Sequence, residues 1–322
     1  MAAKIFIDGE AGTTGLQIRE RLAVRADIEL LSVPEARRKD PSARAELLNA
    51  ADIAILCLPD EAAKESVTLI TNPTTRVIDA SSAYRVAKDW TYGFAELDKN
   101  QAAAIAGAKR VSNPGCWPQG VIAVLRPLIA AGLLPDSCPV TVNGISGYSG
   151  GGKAMIADYE TKGESAPEFM PYGLTFAHKH LPEMQLYSQL GTTPLFMPAV
   201  GNFFKGMLTA VPLQLAALQL STRQRIPGGK ELHAALSDHY AAIKDSFVTV
   251  APLAALERTP ALDPEGLNGT NRMRLHVFAD DSKAQVLLIA VYDNLGKGAS
   301  GAAIQNLNLM LGIDPATSLG RL

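Results

Sequence analysis

Cys116 is the residue of this sequence best placed for nucleophilic chemistry. It follows an Asn-Pro-Gly turn and directly precedes residues 117–126, whose apolar spacing predicts a helix with a proline in its first turn. The thiol should therefore lie at a helix N-terminus, where unpaired backbone N–H groups and the helix dipole stabilise a thiolate. The alternative is a buried, inert cysteine, because free cysteines are often buried.

A second stretch with chemical potential is His-Lys-His-Leu-Pro-Glu at 178–183. In an extended segment His178 and His180 point to the same face, and the following Pro182 and Glu183 predict the start of a helix. The pair could serve acid–base chemistry, form half of a metal site, or lie in a surface loop without a role. No nearby carboxylate or cysteine cluster completes a tetrahedral set, so we expect no metal. The other histidines lie in a helical pattern predicted to face solvent, or in a strand-like run: His233 and His239, and His276.

Two glycine-rich stretches could hold anions. Residues 146–153, Ser-Gly-Tyr-Ser-Gly-Gly-Gly-Lys, contain too much glycine for a strand and form either a flexible linker or a nest of backbone N–H groups that ends at Lys153. Residues 293–301 form a glycine-rich turn before an amphipathic helix at 302–311. We expect this last helix to return to the first domain.

The elements that must position these residues begin with a nucleotide-binding pattern. An apolar run at 4–8 predicts a strand, Gly9, Gly12 and Gly15 follow in a Gly-x-x-Gly-x-x-Gly turn, and 16–22 has helical spacing. Glycines let the backbone approach a pyrophosphate that the helix N-terminus faces, although a plain strand-to-helix turn has the same pattern. Further alternation of strands and helices predicts a parallel sheet, with strands at 28–33, 52–58 and 76–80 and helices at 42–50 and 60–70.

The residues after the second strand should decide the cofactor. Where a NAD site usually has an acidic residue, this chain reads Ser32-Val-Pro-Glu35-Ala-Arg37-Arg38-Lys39. Arginines suit a 2′-phosphate, so we expect NADP, although Glu35 fits NAD and the patch could be merely solvated. Pro59 ends the third strand and should also lie near the cofactor.

Composition excludes several classes of function. The 322 residues carry 30 Lys+Arg and 32 Asp+Glu, a net charge of −2, so the whole chain shows no surface suited to nucleic acid or membrane. No apolar stretch is long enough to span a bilayer, and we expect the N-terminus to enter a strand rather than a signal peptide. Three cysteines are too few for a disulfide framework, which predicts a reducing, cytoplasmic location.

The second half of the chain changes character after Cys116. Strand-like runs at 140–143 and 199–211 are separated by polar and glycine-rich stretches, which predicts an antiparallel α+β domain. The expected domains are 1–115 with 297–322 for the dinucleotide, and 116–296 for catalysis and oligomerisation. We expect a homodimer or homotetramer.

Four motifs together resemble the N-acetyl-gamma-glutamyl-phosphate reductases of arginine biosynthesis. They are Ser-Asn-Pro-Gly-Cys at 112–116, the glycine-rich stretch from 146, His-Lys-His-Leu-Pro-Glu at 178–183 and Asn-Leu-Gly-Lys-Gly-Ala-Ser-Gly at 294–301. Asp-Ala-Ser-Ser-Ala-Tyr-Arg at 79–85 and the opening glycines match as well, so the resemblance spans nearly the whole chain, whose length looks like the shorter class of that family. Trp117-Pro118 departs from the family, many members of which have smaller residues after the cysteine.

The resemblance implies an α/β fold: a Rossmann-like parallel-sheet NADP-binding domain plus an α+β catalytic domain of the glyceraldehyde-3-phosphate and aspartate-semialdehyde dehydrogenase type. It implies NADPH-dependent reduction of N-acetyl-L-glutamyl 5-phosphate through a cysteine thioester. Cys116 matches the nucleophile and His180 the acid/base. The residues expected at the substrate are Ser112, Asn113, Ser146, Ser149, His178 and Glu183. Those expected at NADP(H) are Gly9, Gly12, Thr13, Thr14, Gly15, Ser32, Arg37, Arg38, Pro59, Ser81 and Asn294.

Other functions remain compatible with the same residues. A related enzyme could reduce aspartyl phosphate or a carrier-linked aminoadipyl phosphate with the same sulfur chemistry. A cysteine hydrolase would leave the nucleotide-binding half without a purpose. A nucleotide sensor that has lost catalysis would not need both Cys116 and the histidine pair.

Overall fold

The computed structural model describes residues 2–37, 40–217, 226–255 and 261–320. The chain divides into two compact units. The described residues of Met1–Ala95, Asn100–Gly115 and Ala299–Arg321 form the first unit, and those of Glu96–Lys99 and Cys116–Gly298 form the second. Four residues of the N-terminal half are therefore part of the second unit.

The first unit is built on a six-stranded, wholly parallel sheet. Its strands are β1 (Ala3–Asp8), β2 (Ile28–Leu31), β3 (Ile53–Leu56), β4 (Arg76–Asp79), β5 (Thr91–Tyr92) and β6 (Arg110–Ser112). Its helices are α1 (Thr13–Ala23), α2 (Pro41–Ala50), α3 (Asp60–Leu69), α4 (Gln101–Gly107) and α9 (Gly301–Leu311). The expected alternation of strands and helices is confirmed.

The strand order β2-β1-β3-β4-β6-β5 locates the ligand crevice of the first unit. The chain moves from β1 to one side for β2 and to the other side for β3. Such a reversal opens a crevice at the carboxyl ends of the two central strands, which here are β1 and β3. The glycine loop follows β1 and Pro59 follows β3, so the fold brings both predicted cofactor segments to this edge.

The second unit has a seven-stranded mixed sheet in the order β11-β12-β13-β10-β7-β9-β8, most of whose neighbours are antiparallel. Its strands are β7 (Thr141–Gly147), β8 (Phe169–Pro171), β9 (Leu195–Gly201), β10 (Met207–Gln214), β11 (Val248–Val250), β12 (Met273–Asp280) and β13 (Gln285–Tyr292). Its helices are α5 (Cys116–Ala130), α6 (Gly152–Lys162), α7 (Leu181–Ser188) and α8 (Gly229–Ala241).

Helix α5 is the central helix of the second unit. Its sequence is apolar on nearly every side, and the stretch from Trp117 to Leu125 is buried throughout. A helix without a polar face must be enclosed by other elements. It packs on β10 and β13 and against α7 and α8. The first residue of α5, Cys116, is therefore attached to one of the most firmly enclosed parts of this unit.

Three sequence expectations about this unit are wrong. The run 199–211 is not one strand but the end of β9, a turn and the start of β10. Ser146 and Gly147, predicted to lie outside a strand, end β7, because the neighbouring strands β9 and β10 supply partners for them. The prediction that His239 faces solvent is also wrong: burial lowers its pKa, and only part of the side chain is exposed.

Candidate active site

The predicted helix start at Cys116 is confirmed, since Cys116 is the first residue of α5. Its carbonyl accepts a hydrogen bond of 2.7 Å from the Tyr292 hydroxyl, which in turn accepts one of 3.1 Å from the backbone N–H of Gly120. The phenol thus bridges the first turn of the helix. Burial raises the pKa of Tyr292 well above its usual value, and negative charge on Cys116 raises it further, so the hydroxyl keeps its proton.

Cys116 is the thiol of this chain suited to reaction. Its residue is half-buried, whereas Cys138 is 1% exposed. Burial raises the pKa of Cys138 to about 11. Loss of solvent raises the pKa of the Cys57 thiol to about 12, with the carboxylates of Asp79 and Asp8 adding to the effect. Neither of those two is a nucleophile at neutral pH, because the thiolate is the reactive form.

Gly298 lies directly behind the cysteine. A Cβ atom at this position would be 3.0 Å from the Cys116 Cβ and 3.2 Å from the carbonyl oxygen of Asp293. Carbon atoms in ordinary contact are about 3.5–4.0 Å apart, so no larger residue fits here unless its neighbours move. The turn that contains Gly298 therefore limits how far Cys116 can move toward it.

The histidine pair is brought together by a turn rather than by an extended segment, which corrects the geometry expected from the sequence. The N–H of Leu181 donates to the carbonyl of His178, and His180 takes a helical conformation at the start of α7. The backbone N–H of His180 donates to Nδ1 of His178 over 3.1 Å, and the ring centroids are 4.7 Å apart. The helix predicted at Pro182 and Glu183 is confirmed as α7.

A series of aromatic contacts connects the histidines to Trp117, the residue after Cys116. The Trp117 indole N–H donates to the Tyr172 hydroxyl over 2.9 Å, and the Phe196 ring packs edge-on against both Trp117 and His178. Burial raises the pKa of Tyr172, and negative charge on Cys116 raises it further. The phenol of Tyr172 therefore lies within electrostatic reach of the sulfur.

A cavity of about 260 Å³ opens beside His178. Its walls are mostly apolar and are formed by Gly173, Phe176, His178, Leu181, Thr193, Pro194, Leu195 and Phe196. Among the residues that the structure describes, no group of three or more His, Cys, Asp or Glu side chains is placed to hold a metal ion. The cavity therefore suits a small organic group, because its walls are mostly apolar and His178 is the single titratable side chain in its lining.

The glycine-rich stretch from Ser146 is neither a flexible linker nor a wholly open nest. Backbone N–H groups of Gly147, Tyr148 and Ser149 donate to carbonyls of the segment 203–206. The remainder forms a short 3₁₀ turn and the first turn of α6, with Lys153 exposed. The N–H groups of 147–149 are thus used within the protein, and only the later part of the stretch can face a ligand.

Asn294 lies in the second unit, where both ends of its side-chain amide are hydrogen-bonded. Its amide N–H donates to the Ser149 hydroxyl over 3.1 Å, and its oxygen accepts from the N–H of Gly206 over 2.8 Å. The side chains of Ser146 and Ser149 are buried, and Glu183 is 1% exposed in the first turn of α7. The structure therefore gives Asn294 an orienting role on Ser149, and its predicted contact with the cofactor stays a prediction.

The glycine loop of the first unit fits the close approach of a dinucleotide. Gly9 has φ +87°, and a Cβ here would collide with the carbonyl oxygen of Cys57. Gly15 packs on the backbone of Gly9, where a Cβ would be 2.5 Å from its oxygen. Helix α1 begins at Thr13 after Gly12, which has no side chain to cap the helix, so the first N–H groups can face a pyrophosphate.

The basic patch after β2 is less open than the sequence indicated. Arg37 donates to the carboxylates of Asp40 and Glu46, which raise its pKa. Arg38 and Lys39 lie outside the described residues. Ser32 is 3.4 Å from a carboxylate oxygen of Glu10. A phosphate at Arg37 would therefore have to compete with two carboxylates.

The remaining predicted residues lie in the first unit. Ser81 donates to the carboxylate of Asp79 over 2.6 Å, and the Ser112 side chain is buried at the end of β6. The Asn113 amide donates to the carbonyl of Ala299 and accepts from Asn306. Asn113 is thus occupied in joining β6 to α9, and substrate contact by Ser112 or Asn113 stays a prediction.

Sequence reasoning missed several residues of the site. Lys297 lies inside the motif at 294–301, but its charge gives no local signal because exposed lysines are common. Tyr172 and Tyr292 carry no local signal, since only their distant partners identify them. Glu96 lies in a loop of the N-terminal half, and nothing in its surroundings points to the second unit.

The fold and the site together define an oxidoreductase of the semialdehyde dehydrogenase class. Residues 4–105 match the family profile "Semialdehyde dehydrogenase, NAD binding domain", and residues 116–294 match "Semialdehyde dehydrogenase, dimerisation domain". Within that class, the chain belongs to the N-acetyl-gamma-glutamyl-phosphate reductase family. It is 69% identical to the N-acetyl-gamma-glutamyl-phosphate reductase of Chelativorans sp. (strain BNC1), over 97% of this chain and 99% of that protein. The enzyme of that name from Burkholderia lata is 54% identical, over 96% of both chains.

Solved structures support the same fold. Aspartate semialdehyde dehydrogenase II of Vibrio cholerae, complexed with ASA, superimposes with a TM-score of 0.71 at 15% identity, covering 97% of this chain and 99% of that chain. The enzyme from Candida albicans with NADP gives a TM-score of 0.66 at 14% identity, covering 97% and 99%. The family matches establish a nicotinamide cofactor and an oligomeric protein. No helix among the described residues is long and apolar enough to cross a membrane.

Proposed function

We propose that this protein reduces N-acetyl-L-glutamyl 5-phosphate to N-acetyl-L-glutamate 5-semialdehyde and phosphate, using NADPH, in arginine biosynthesis. The observation that carries the proposal is the placement of Cys116 at the first residue of α5, with its carbonyl held by Tyr292 and its back against Gly298. Curated relatives that match nearly the full length of this chain bear the name N-acetyl-gamma-glutamyl-phosphate reductase.

The residues account for the reaction as two half-reactions. The Cys116 thiolate attacks the acyl carbon, the C–O bond to phosphate breaks, and a thioester forms on the sulfur. Backbone N–H groups at the start of α5 would hold the oxyanion, as similar groups do in other acyl-transfer enzymes. Bound NADPH supplies the hydride that reduces the thioester. The C–S bond then breaks, releasing the aldehyde and the cysteine.

His180 is proposed as the acid and base of both steps. Its backbone N–H donates a hydrogen bond to Nδ1 of His178, which fixes the turn, and the residue is only 6% exposed. It would take the thiol proton before attack and return a proton to the departing sulfur when the C–S bond breaks after the thioester has been reduced. Glu183 and His178 are proposed to contact the substrate, with the apolar cavity beside His178 receiving the acetyl group. Ser146 and Ser149 are proposed at the phosphate or carboxylate.

NADP is proposed as the cofactor, held by Gly9, Gly12 and Gly15 with Thr13 and Thr14 at the start of α1. Arg37 and Arg38 remain the proposed contacts for its 2′-phosphate. Pro59, Ser32 and Ser81 would lie along the crevice. Steady-state KM values for NADPH and NADH test this choice: a lower value for NADPH is expected, and a lower value for NADH would overturn it.

A homodimer or homotetramer is proposed through the sheet of the second unit. Leu195, Met197 and Leu287 share one face of this sheet and are 51%, 45% and 43% exposed. Exposed apolar side chains clustered on one face are typical of interfaces. The three free cysteines fit the reducing cytoplasm that we propose for the enzyme.

Cys116→Ser tests the nucleophile. A serine hydroxyl is a much weaker nucleophile than a cysteine thiolate, so turnover should be lost. NADPH binding, followed by fluorescence, should be unchanged. Turnover at the wild-type rate would remove Cys116 from the mechanism. Offering aspartyl phosphate in parallel separates the related acyl-phosphate reductases, because a preference for aspartyl phosphate would move the assignment to them.

A further inference from the structure

A fully buried ion pair lies in the second unit, and one of its members, Lys297, is close in the chain to Tyr292 and Gly298. Nζ of Lys297 is 2.6 Å from Oε2 of Glu96, and both side chains are 1% exposed. The other carboxylate oxygen of Glu96 accepts from the backbone N–H of Phe247 over 3.2 Å. The Lys297 ammonium also lies 5.8 Å from the centroid of the Phe247 ring.

Such a pair is a poor device for stability alone. Removing two charges from water is costly, and apolar residues of similar volume often stabilise a protein as well or better. Burial lowers the pKa of Lys297, and the adjacent Glu96 opposes that shift. What an ion pair adds over apolar packing is a fixed direction and distance, which matters where a segment must be held in one place.

The segment held by Lys297 contacts the first turn of α5. The carbonyl of Lys297 accepts a hydrogen bond of 2.8 Å from the Gln119 side chain, one turn after the cysteine. The next residue, Gly298, lies against Cys116. Tyr292, at the start of the same segment, holds the carbonyl of Cys116. Three contacts from residues 292–298 thus reach the first turn of α5.

Glu96 anchors the opposite side of this arrangement. It belongs to the four residues Glu96–Lys99 that the second unit takes from the N-terminal half of the chain. Asp98 in the same stretch lies 3.5 Å from Arg126 of α5. Glu96 is therefore connected to α5 in two places: along its own segment at Arg126, in the second half of the helix, and through Lys297 at the start of the helix.

We propose that Lys297 and Glu96 are positioning residues, whose ion pair holds the turn carrying Gly298 against Cys116 so that the sulfur keeps its reactive position. This inference rests on the proposed function in that Cys116 is the nucleophile. Lys297 and Glu96 need not touch the substrate or the cofactor. They act through Gly298 and Gln119, and loss of the pair lets the turn and the sulfur move.

A double variant tests the pair without depending on whether a buried charge is tolerated. Lys297→Met leaves Glu96 as an isolated buried charge and is the variant most at risk of not folding. The double variant Glu96→Gln with Lys297→Met has no charge, and its glutamine still accepts from the N–H of Phe247. Lys64→Met, which breaks the exposed pair with Glu61 in the first unit, is the matched control.

The double variant should unfold at the wild-type urea concentration or higher and bind NADPH as wild type does. Its kcat should nevertheless be about 10–100-fold lower with little change in KM, because displacement of a reacting group by an ångström costs about that factor. Lys64→Met should leave both constants unchanged. A double variant with wild-type stability and wild-type kcat would overturn the proposal, as would a loss of kcat that only follows a loss of stability.

Alkylation of Cys116 by iodoacetamide, followed by peptide mass spectrometry across pH, gives a readout that needs no substrate. The double variant should show a slower reaction or a shifted pH profile relative to wild type and to Lys64→Met. If wild type fails to reduce the acyl phosphate yet this difference persists, the proposed function fails and the positioning role stands. If wild type is active and alkylation is identical in all three proteins, the positioning role fails alone.

Discussion

Replacing Gly298 by alanine adds one methyl group against Cys116, the proposed nucleophile. The added Cβ would be 3.0 Å from the Cys116 Cβ, whereas ordinary carbon contacts are about 3.5–4.0 Å. It would also be 3.2 Å from the carbonyl of Asp293, so the methyl group cannot simply turn away. Relief requires a shift of roughly 0.5–1 Å, shared between the cysteine and the turn.

A shift of this size should reduce kcat by about 10–100-fold, which corresponds to about 1.4–2.7 kcal/mol in the activation free energy. KM should change little, because the methyl group faces Cys116 and not the cavity beside His178. Overpacking of a well-packed site also costs about 1–3 kcal/mol in the free energy of unfolding. Steady-state kinetics and urea unfolding measure the two effects separately.

Gly107→Ala is the matched control. Gly107 ends α4, and a Cβ there would meet nothing within 4 Å. This variant should keep the wild-type kcat and the wild-type stability within a few tenths of a kcal/mol, or gain slightly, because alanine restricts the unfolded chain. A Gly298→Ala enzyme that matches wild type in both kcat and stability would refute the claim that the turn limits the position of Cys116.

Three further predictions follow from single contacts. Burial raises the pKa of Asp79 to about 6, above its unfolded value near 3.9, so the folded state binds this proton more tightly. Relative to Asp79→Asn, the unfolding free energy of wild type should therefore fall by about 3 kcal/mol from pH 3.5 to pH 7. A difference between the two proteins that does not change with pH would contradict this. Tyr292→Phe removes the donor to the Cys116 carbonyl and should cost about 1–3 kcal/mol in urea unfolding and slow alkylation of the thiol; unchanged alkylation would count against the bridging role. Trp117→Phe removes the N–H that donates to Tyr172 and should raise KM more than it lowers kcat. Unchanged KM and kcat would show that this hydrogen bond does not contribute to the reaction.

The parts of the fold that the sequence predicted are those with local causes. The glycine loop after β1 needs a positive φ at Gly9 and room at Gly15, and both requirements appear directly as glycine. The start of α5 follows from Pro118 in its first turn and the apolar run after it. Parallel strands were predictable because buried strands read as continuous apolar runs.

The parts that the sequence did not predict depend on distant partners. The ion pair of Glu96 and Lys297 joins residues 201 positions apart, so no window around either one reveals it. Ser146 ends a strand only because β9 and β10 lie on either side of it. Backbone N–H groups expected to bind an anion are used by the segment 203–206, which no local pattern indicates.

The central claim is that a thioester on Cys116 links the phosphate step to the hydride step, and a single-turnover experiment tests it most directly. The enzyme is mixed with NADP and N-acetyl-glutamate semialdehyde without phosphate, while NADPH absorbance and the mass of the protein are followed. The account predicts a burst of NADPH equal to the enzyme concentration, an N-acetylglutamyl adduct on the Cys116 peptide, and resumed turnover when phosphate is added. Sustained NADPH formation without phosphate, or a burst with no adduct on Cys116, would contradict it.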